Sequence, residues 1–118
     1  MQSVNVVAAI VLRDGKALLM KSTRHDRIVV PGGKPKPGET DEQAVVREVL
    51  EESGLRVLNV GPRLGTEQRG QFAVHFYRTE VEDGEPVASS DAASMWWGGP
   101  SEYFDRAWIE LAARQERG

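Results

Sequence analysis

From Val4 to Leu12 most positions are β-branched or small and apolar. Asp14-Gly15 then interrupts the run before a second apolar stretch, Ala17 to Met20. This pattern predicts a strand, a tight hairpin and a second strand. Ser22 to Arg27 is polar and basic and reads as a loop, and Ile28 to Val30 is a short β-prone run that ends at Pro31-Gly32-Gly33. Pro35, Pro37 and Gly38 follow closely, so Gly32 to Glu39 is expected to be a shaped loop and not a regular element.

A helix signature begins at Thr40. Thr40-Asp41-Glu42-Gln43 fits the capping box, and Gly54 is placed to stop the helix. At 100° per residue Val45, Val46, Val49 and Leu50 fall within an arc of roughly 140°, and Glu48, Glu51 and Glu52 within roughly 100° on the opposing side. One face is expected to meet the core, and the other to carry clustered carboxylates. Beyond it, Leu55 to Val60 and Phe72 to Val81 read as strands, the second with Phe72, Val74 and Phe76 alternating against more polar neighbours. Asp83-Gly84 is a turn signal, and Met95 to Trp97 is a further candidate strand. Ser101 is a candidate cap for a last helix in which Tyr103, Phe104, Ala107, Trp108 and Leu111 recur at helical spacing, with Arg106, Glu110 and Arg114 opposite.

The 118 residues fit one domain, 1–118, with no internal repeat or dividing linker. With 40% hydrophobic and 28% charged residues the chain has material for a core. A net charge of -3 argues against a surface that grips nucleic acid or anionic lipid throughout. The absence of Cys removes disulfides, thiolate metal sites and cysteine nucleophiles together. Val6 to Leu12 is far too short to span a bilayer and is not preceded by Lys or Arg, so a soluble, cytoplasmic protein is the expectation.

Three glutamates on one helical face repel one another, by a few tenths of a kcal/mol per pair in an isolated helix. Arg47 supplies one positive charge on the neighbouring arc, which leaves excess acid. A hard divalent cation with oxygen ligands would neutralise it, Mg²⁺ first and Mn²⁺ as the alternative, since no His or Cys lies on that face to favour zinc. On its own an E-x-x-E-E pattern is more readily an ordinary solvated helix face. The preceding loop changes that reading.

From Gly33 the chain runs Gly33-Lys-Pro-Lys-Pro-Gly-Glu39, then seven residues to Arg47-Glu48-Val49-Leu50-Glu51-Glu52-Ser53-Gly54-Leu55. This resembles the Nudix box, G-x5-E-x7-R-E-U-x-E-E-x-G-U with U aliphatic, and residues 33–55 fill every specified position. The resemblance implies an α/β fold, an α/β/α sandwich around a mixed sheet, and hydrolysis of a nucleoside diphosphate linked to another group. Carried over by position, Glu48, Glu51 and Glu52 would be Mg²⁺ ligands and the catalytic set, assisted by a backbone carbonyl near Gly32. Gly33, Glu39, Arg47 and Gly54 would be structural, with Glu39 and Arg47 tying loop to helix through an ion pair. An alternative role for Glu39 is to reach a metal through water. Glu48 is the first candidate for the general base, with Glu51 or Glu52 next, and Asp91 or Glu85 lies in the region where some members place an added acid.

These roles make physical sense without the family. A pyrophosphate beside three carboxylates is repelled, by roughly 3 kcal/mol for two like charges about 5 Å apart at an effective dielectric near 20, so binding requires bridging cations.

The substrate is less legible. Pro31-Gly32-Gly33-Lys34 is similar to the P-G-G-K stretch of MutT-like nucleoside triphosphate pyrophosphohydrolases, which makes Lys34 a candidate phosphate contact. Lys21 matches a basic substrate-contacting position in the same group, and Arg24, His25 and Arg27 form a basic stretch beside the expected cleft. Trp96 and Trp97 are candidates for base stacking, although aromatic residues in a late strand more often enter the core. The usual guanine-reading Asn is missing from the last segment. The resemblance therefore points to a small-molecule nucleotide as the partner and to release of pyrophosphate from a nucleoside or deoxynucleoside triphosphate. An ADP-ribose or nucleotide-sugar hydrolase is the runner-up, and a sensor that binds nucleotide without turnover is the rival of another class. Monomer and homodimer are both compatible with the sequence.

Overall fold

The first strand is buried on both faces, and it divides the core into two layers. The computed structural model describes residues 3–23, 27–89, 92–103 and 105–117. In β1 (Val4–Arg13), Val7, Ala9 and Val11 pack with one set of buried residues and Ala8 and Ile10 with another. Near-continuous apolar character is what a central strand covered on both sides requires. β1 turns at Asp14-Gly15, both with positive φ (51° and 77°), into β2 (Lys16–Ser22). Two positive φ values in succession suit a two-residue hairpin, as the Asp-Gly pair predicts.

Next come β3 (Ile28–Val29), β4 (Gly32–Gly33), α1 (Asp41–Ser53), β5 (Val57–Arg69), β6 (Phe72–Val81), β7 (Ala92–Gly98), a 3-10 turn over Pro100–Glu102 and α2 (Arg106–Arg117). The sheet runs β3-β2-β1-β6-β5, with β4 paired to β1 and β7 to β2. β1 and β6 are parallel, with Val4 opposite Phe72, and the other pairings are antiparallel. α1 buries Ala44, Val45 and Val49 with Val7, Ala9, Val11, Leu18 and Tyr77. α2 buries Ile109 and Ala112 with Ala8, Ile10, Leu19, Val74 and Phe76 on the opposite face. The architecture is thus an α/β/α sandwich around a mixed sheet, as expected.

Several local expectations need correction. Gly32 and Gly33 are not purely loop, because they pair with Ala8 and Val7 as a two-residue strand. A Cβ on Gly32 would stand 2.1 Å from the Val7 carbonyl oxygen, so only glycine allows that approach. The buried arc of α1 is narrower than the apolar arc. Val46 and Leu50 are 41% and 45% exposed, whereas Val45 and Val49 are buried. Val46 faces a shallow groove against Val57, Leu58 and Val60 of β5. That strand does not stop at Val60: it runs on through Gly61-Pro62 with repeated register shifts, which an edge strand tolerates. Ser101 lies in the 3-10 turn and does not cap α2, whose buried positions are Ile109 and Ala112 and not Ala107. Phe104 lies outside the described residues. Among the described residues no helix is long and apolar enough to cross a membrane.

The narrowed helix face is testable by truncation. Val49→Ala should cost about 2 kcal/mol in urea unfolding, the transfer and cavity terms of a buried side chain. Leu50→Ala should stay within about 0.5 kcal/mol. Equal losses would return Leu50 to the core.

Candidate active site

Helix α1 starts where its cap dictates. The Thr40 hydroxyl accepts from the Gln43 amide at 3.1 Å, and the Gln43 side chain accepts from the Thr40 amide at 2.9 Å. Gly54 ends it in the left-handed region (φ 76°), with its amide donating to the Leu50 carbonyl. The next orphan carbonyls, those of Glu52 and Ser53, accept from the Ser89 and Val87 amides, so the segment after β6 seals the helix end. Within this frame Glu48, Glu51 and Glu52 face one cleft of about 830 Å³, together with Gly32, Gly33, Lys34, Lys36 and Arg47.

Arg47 is the hub of this wall. Its Nε and Nη2 donate to the two oxygens of Glu39 at 2.8 and 2.9 Å, a bidentate pair, and Nη2 also donates to the Lys34 carbonyl at 3.1 Å. Nη1 donates to Glu48 at 2.7 Å and to Glu51 at 3.4 Å. Donation by Arg47, then by the Lys36 amide, lowers the Glu39 carboxyl from 4.5 to about 2. Glu39 in turn raises the Arg47 guanidinium further above its ordinary value. Glu48 moves the other way: burial raises it, Arg47 opposes the rise, and neighbouring Glu51 adds to it. Glu52 accepts from the Gly32 amide at 2.9 Å. A Cβ on Gly33 would lie 2.6 Å from the Glu48 carboxylate, so the glycine pair is what lets the helix carboxylates close onto β4.

The donor set suits a hard cation: three carboxylates at i, i+3 and i+4, with no His or Cys, opening onto one cleft. Among the described residues no three acidic or histidine side chains converge closely enough to chelate a cation as they stand. Glu48 is turned to Arg47 and Glu52 to the Gly32 amide, so ligation requires these side chains to rotate toward the cleft.

The cleft brings together most, not all, of the expected residues. Lys34 lines it, its ammonium 5.8 Å from the centre of the Phe72 ring. Lys21 and Arg27 are not part of the lining. Met20 and Ser22 line the cleft on either side of Lys21, and strand alternation directs Lys21 to the other face. Glu85 is exposed and outside the lining, and Arg24, His25 and Asp91 lie outside the described residues. His75 is held on the sheet surface by Thr66 at 2.7 Å and Asn5 at 3.2 Å. Trp96 packs toward α2 and donates to Glu102 at 3.1 Å, and Trp97 packs toward α1 beneath the Arg13 guanidinium at 4.3 Å. Neither tryptophan lines the cleft.

Sequence reasoning missed the far wall, where Arg69 and Phe72 flank the β5–β6 turn. Arg69 donates to Asp105 at 2.7 Å and to Glu67 at 3.0 Å, and Trp108 Nε1 donates to the same Glu67 oxygen at 2.9 Å. A hydrogen bond from Asp105 is the main reason that Glu67 lies well below its ordinary value. Burial, then Glu67, raises Asp105. The only signal for this wall was a charged residue and an aromatic one bracketing Gly70-Gln71, which any hairpin provides.

Comparison with known proteins bears on the family and the fold. A family model described as NUDIX domain matches residues 2–115. The CTP pyrophosphohydrolase of Escherichia coli is 36% identical over 105 residues, covering 81% of this chain and 76% of that protein. The oxidized purine nucleoside triphosphate hydrolase of Danio rerio is 37% identical over 84 residues, covering 67% and 54%. The crystal structure of a MutT NUDIX hydrolase from Burkholderia pseudomallei superposes with a TM-score of 0.82 at 24% identity, covering 94% of this chain and 98% of that one.

The Glu39–Arg47 pair has a pH signature. A folded-state value of about 2 against 4.5 means that Glu39 contributes stability above its ordinary value and loses it as pH falls toward 2. Urea midpoints should therefore drop more steeply between pH 5 and pH 2.5 in the wild type than in Glu39→Gln. Parallel slopes would show that the pair contributes nothing.

Proposed function

The chain belongs to the Nudix hydrolase family, and on that premise we propose that it is a divalent-cation-dependent pyrophosphohydrolase that converts a nucleoside or deoxynucleoside triphosphate to the monophosphate and pyrophosphate. The observation that carries this reading is one cleft with three chemistries. Carboxylates for a cation line one wall, Lys34, Lys36 and Arg47 supply positive charge beside them, and apolar side chains continue the cleft toward Arg69 and Phe72. Its volume, about 830 Å³, lies within the range of small-molecule sites.

Glu48, Glu51 and Glu52 would hold Mg²⁺, with Mn²⁺ as the alternative, and the backbone near Gly32 would assist. When bound, the cation supplies neutralisation of the phosphate charge and polarisation of the phosphorus under attack. The residues do the rest. Lys34 meets a phosphate oxygen from the loop, and Arg47 holds the loop at a fixed distance from the helix. Glu48 accepts the proton of the attacking water as the displacement proceeds in line.

The names of the two curated relatives point to different bases, CTP in one and an oxidised purine in the other. The box sets the reaction, and side chains beyond it set the base.

The test is a nucleotide panel with Mg²⁺ and chromatographic identification of products. Pyrophosphate and a monophosphate from a triphosphate are expected; cleavage confined to ADP-ribose or nucleotide sugars, or binding without cleavage, would overturn the proposal. Glu52→Gln should lower turnover at least about a hundredfold while circular dichroism and melting stay at wild-type values. Wild-type turnover in that variant would remove Glu52 from the cation site.

A further inference from the structure

The far end of α1 is the weak part of the carboxylate wall. Glu51 and Glu52 stand in its last turn, at the negative pole of the helix, and that turn holds no basic residue to offset them. Its carbonyls are closed from outside. Those of Glu52 and Ser53 accept from the Ser89 and Val87 amides at 3.2 and 2.9 Å, so residues 82–89 run as a strap over the helix end. Little burial holds this strap. Asp83, Gly84, Glu85, Val87 and Ala88 are exposed, and Gly84 takes a φ of 138° that other residues rarely adopt.

Hydrogen bonds from Arg13, at the end of β1 and outside the cleft lining, set the position of the strap. Nη1 donates to the Gly84 carbonyl at 2.5 Å and Nη2 to the Glu82 carbonyl at 2.8 Å. The guanidinium lies 4.3 Å from the centre of the Trp97 ring. Trp97 Nε1 is buried with no acceptor among the described residues, so what the ring contributes is its face. A planar fork stacked on an indole grips two carbonyls with little freedom left to lose. We propose that Arg13 is a positioning residue: it pins the strap, the strap closes the last turn of α1, and the closed turn holds Glu51 and Glu52 in place. On the reading above, in which these glutamates hold a cation, Arg13 thereby tightens cation binding from outside the cleft. A turn ordered before the ion arrives loses less entropy on ligation. The effect is mutual, because an ion that favours the closed turn also favours the strap hydrogen bonds.

Hydrogen exchange with and without Mg²⁺, together with Mg²⁺ affinity from competition with Mn²⁺ in amide NMR, tests this without turnover. In Arg13→Met the Val87 and Ser89 amides should exchange about tenfold faster. Its Mg²⁺ Kd should rise about fivefold at a temperature where the variant is fully folded, with Arg13→Lys between it and the wild type. Ile109→Val thins the core on the α2 side and should leave the Kd at its wild-type value. In the wild type, saturating Mg²⁺ should slow exchange at Val87 and Ser89 while the Glu102 and Tyr103 amides of the 3-10 turn keep their rates, a result independent of how any variant folds. A wild-type Kd in Arg13→Met, an equal rise in Ile109→Val, or strap amides indifferent to bound Mg²⁺ would each overturn the coupling to the cation. Unchanged exchange at Val87 and Ser89 in Arg13→Met would overturn the pin itself. If the wild type binds no cation at α1 while Arg13→Met still speeds exchange at Val87, Ser89, Glu51 and Glu52, Arg13 positions the turn and the cation reading is what fails.

Discussion

The site depends on one guanidinium. Arg47 touches Glu39, Glu48, Glu51 and the Lys34 carbonyl, so a single side chain joins the loop before α1 to the acidic face of that helix. Carboxylates this close repel one another, and a helix bearing them gains little from solvating each separately. Arginine suits the position because its planar fork donates to Glu39 with one edge while Nη1 remains for Glu48. Lysine would supply the charge without the second edge. The opposed shifts of Glu39 and Glu48 follow from this geometry. The partner with the bidentate contact is driven down, and the more deeply placed one is raised by burial despite its own bond to Arg47.

Backbone supplies the second constraint. The carboxylate wall reaches the sheet only because β4 has no side chains at Gly32 and Gly33, where a Cβ would meet Val7 and Glu48. The β4–β1 pairing fixes the height of the loop over the sheet, and the capping box fixes where the helix leaves it. β1, packed from both faces, is the rigid reference for both. Two glycines, a threonine cap and an arginine therefore place three glutamates on one wall of the cleft.

What could be read from the sequence was local or periodic. The Asp14-Gly15 hairpin, the Thr40 box, the Gly54 stop and the Glu48–Glu51–Glu52 face each depend on spacing within a few residues, and each is present. What escaped depends on neighbours distant in the chain. Val46 and Leu50 have core chemistry but lie off the arc that β1 covers, and Pro62 conceals a strand that only an edge position permits. Arg69 and Phe72 enter the site from a hairpin more than 30 residues beyond Gly33, with no motif of their own. Trp96 and Trp97, by contrast, pack against the two cores, as aromatic residues of a late strand more often do.

The central claim is that α1 presents a cation site to this cleft, and Mn²⁺ titration followed by amide NMR tests it without requiring turnover. Paramagnetic broadening should begin at Gly32, Gly33 and the amides of Glu48 to Glu52, with Mg²⁺ competing it away. Broadening that begins elsewhere on the acidic surface, or none at stoichiometric Mn²⁺, would contradict the account.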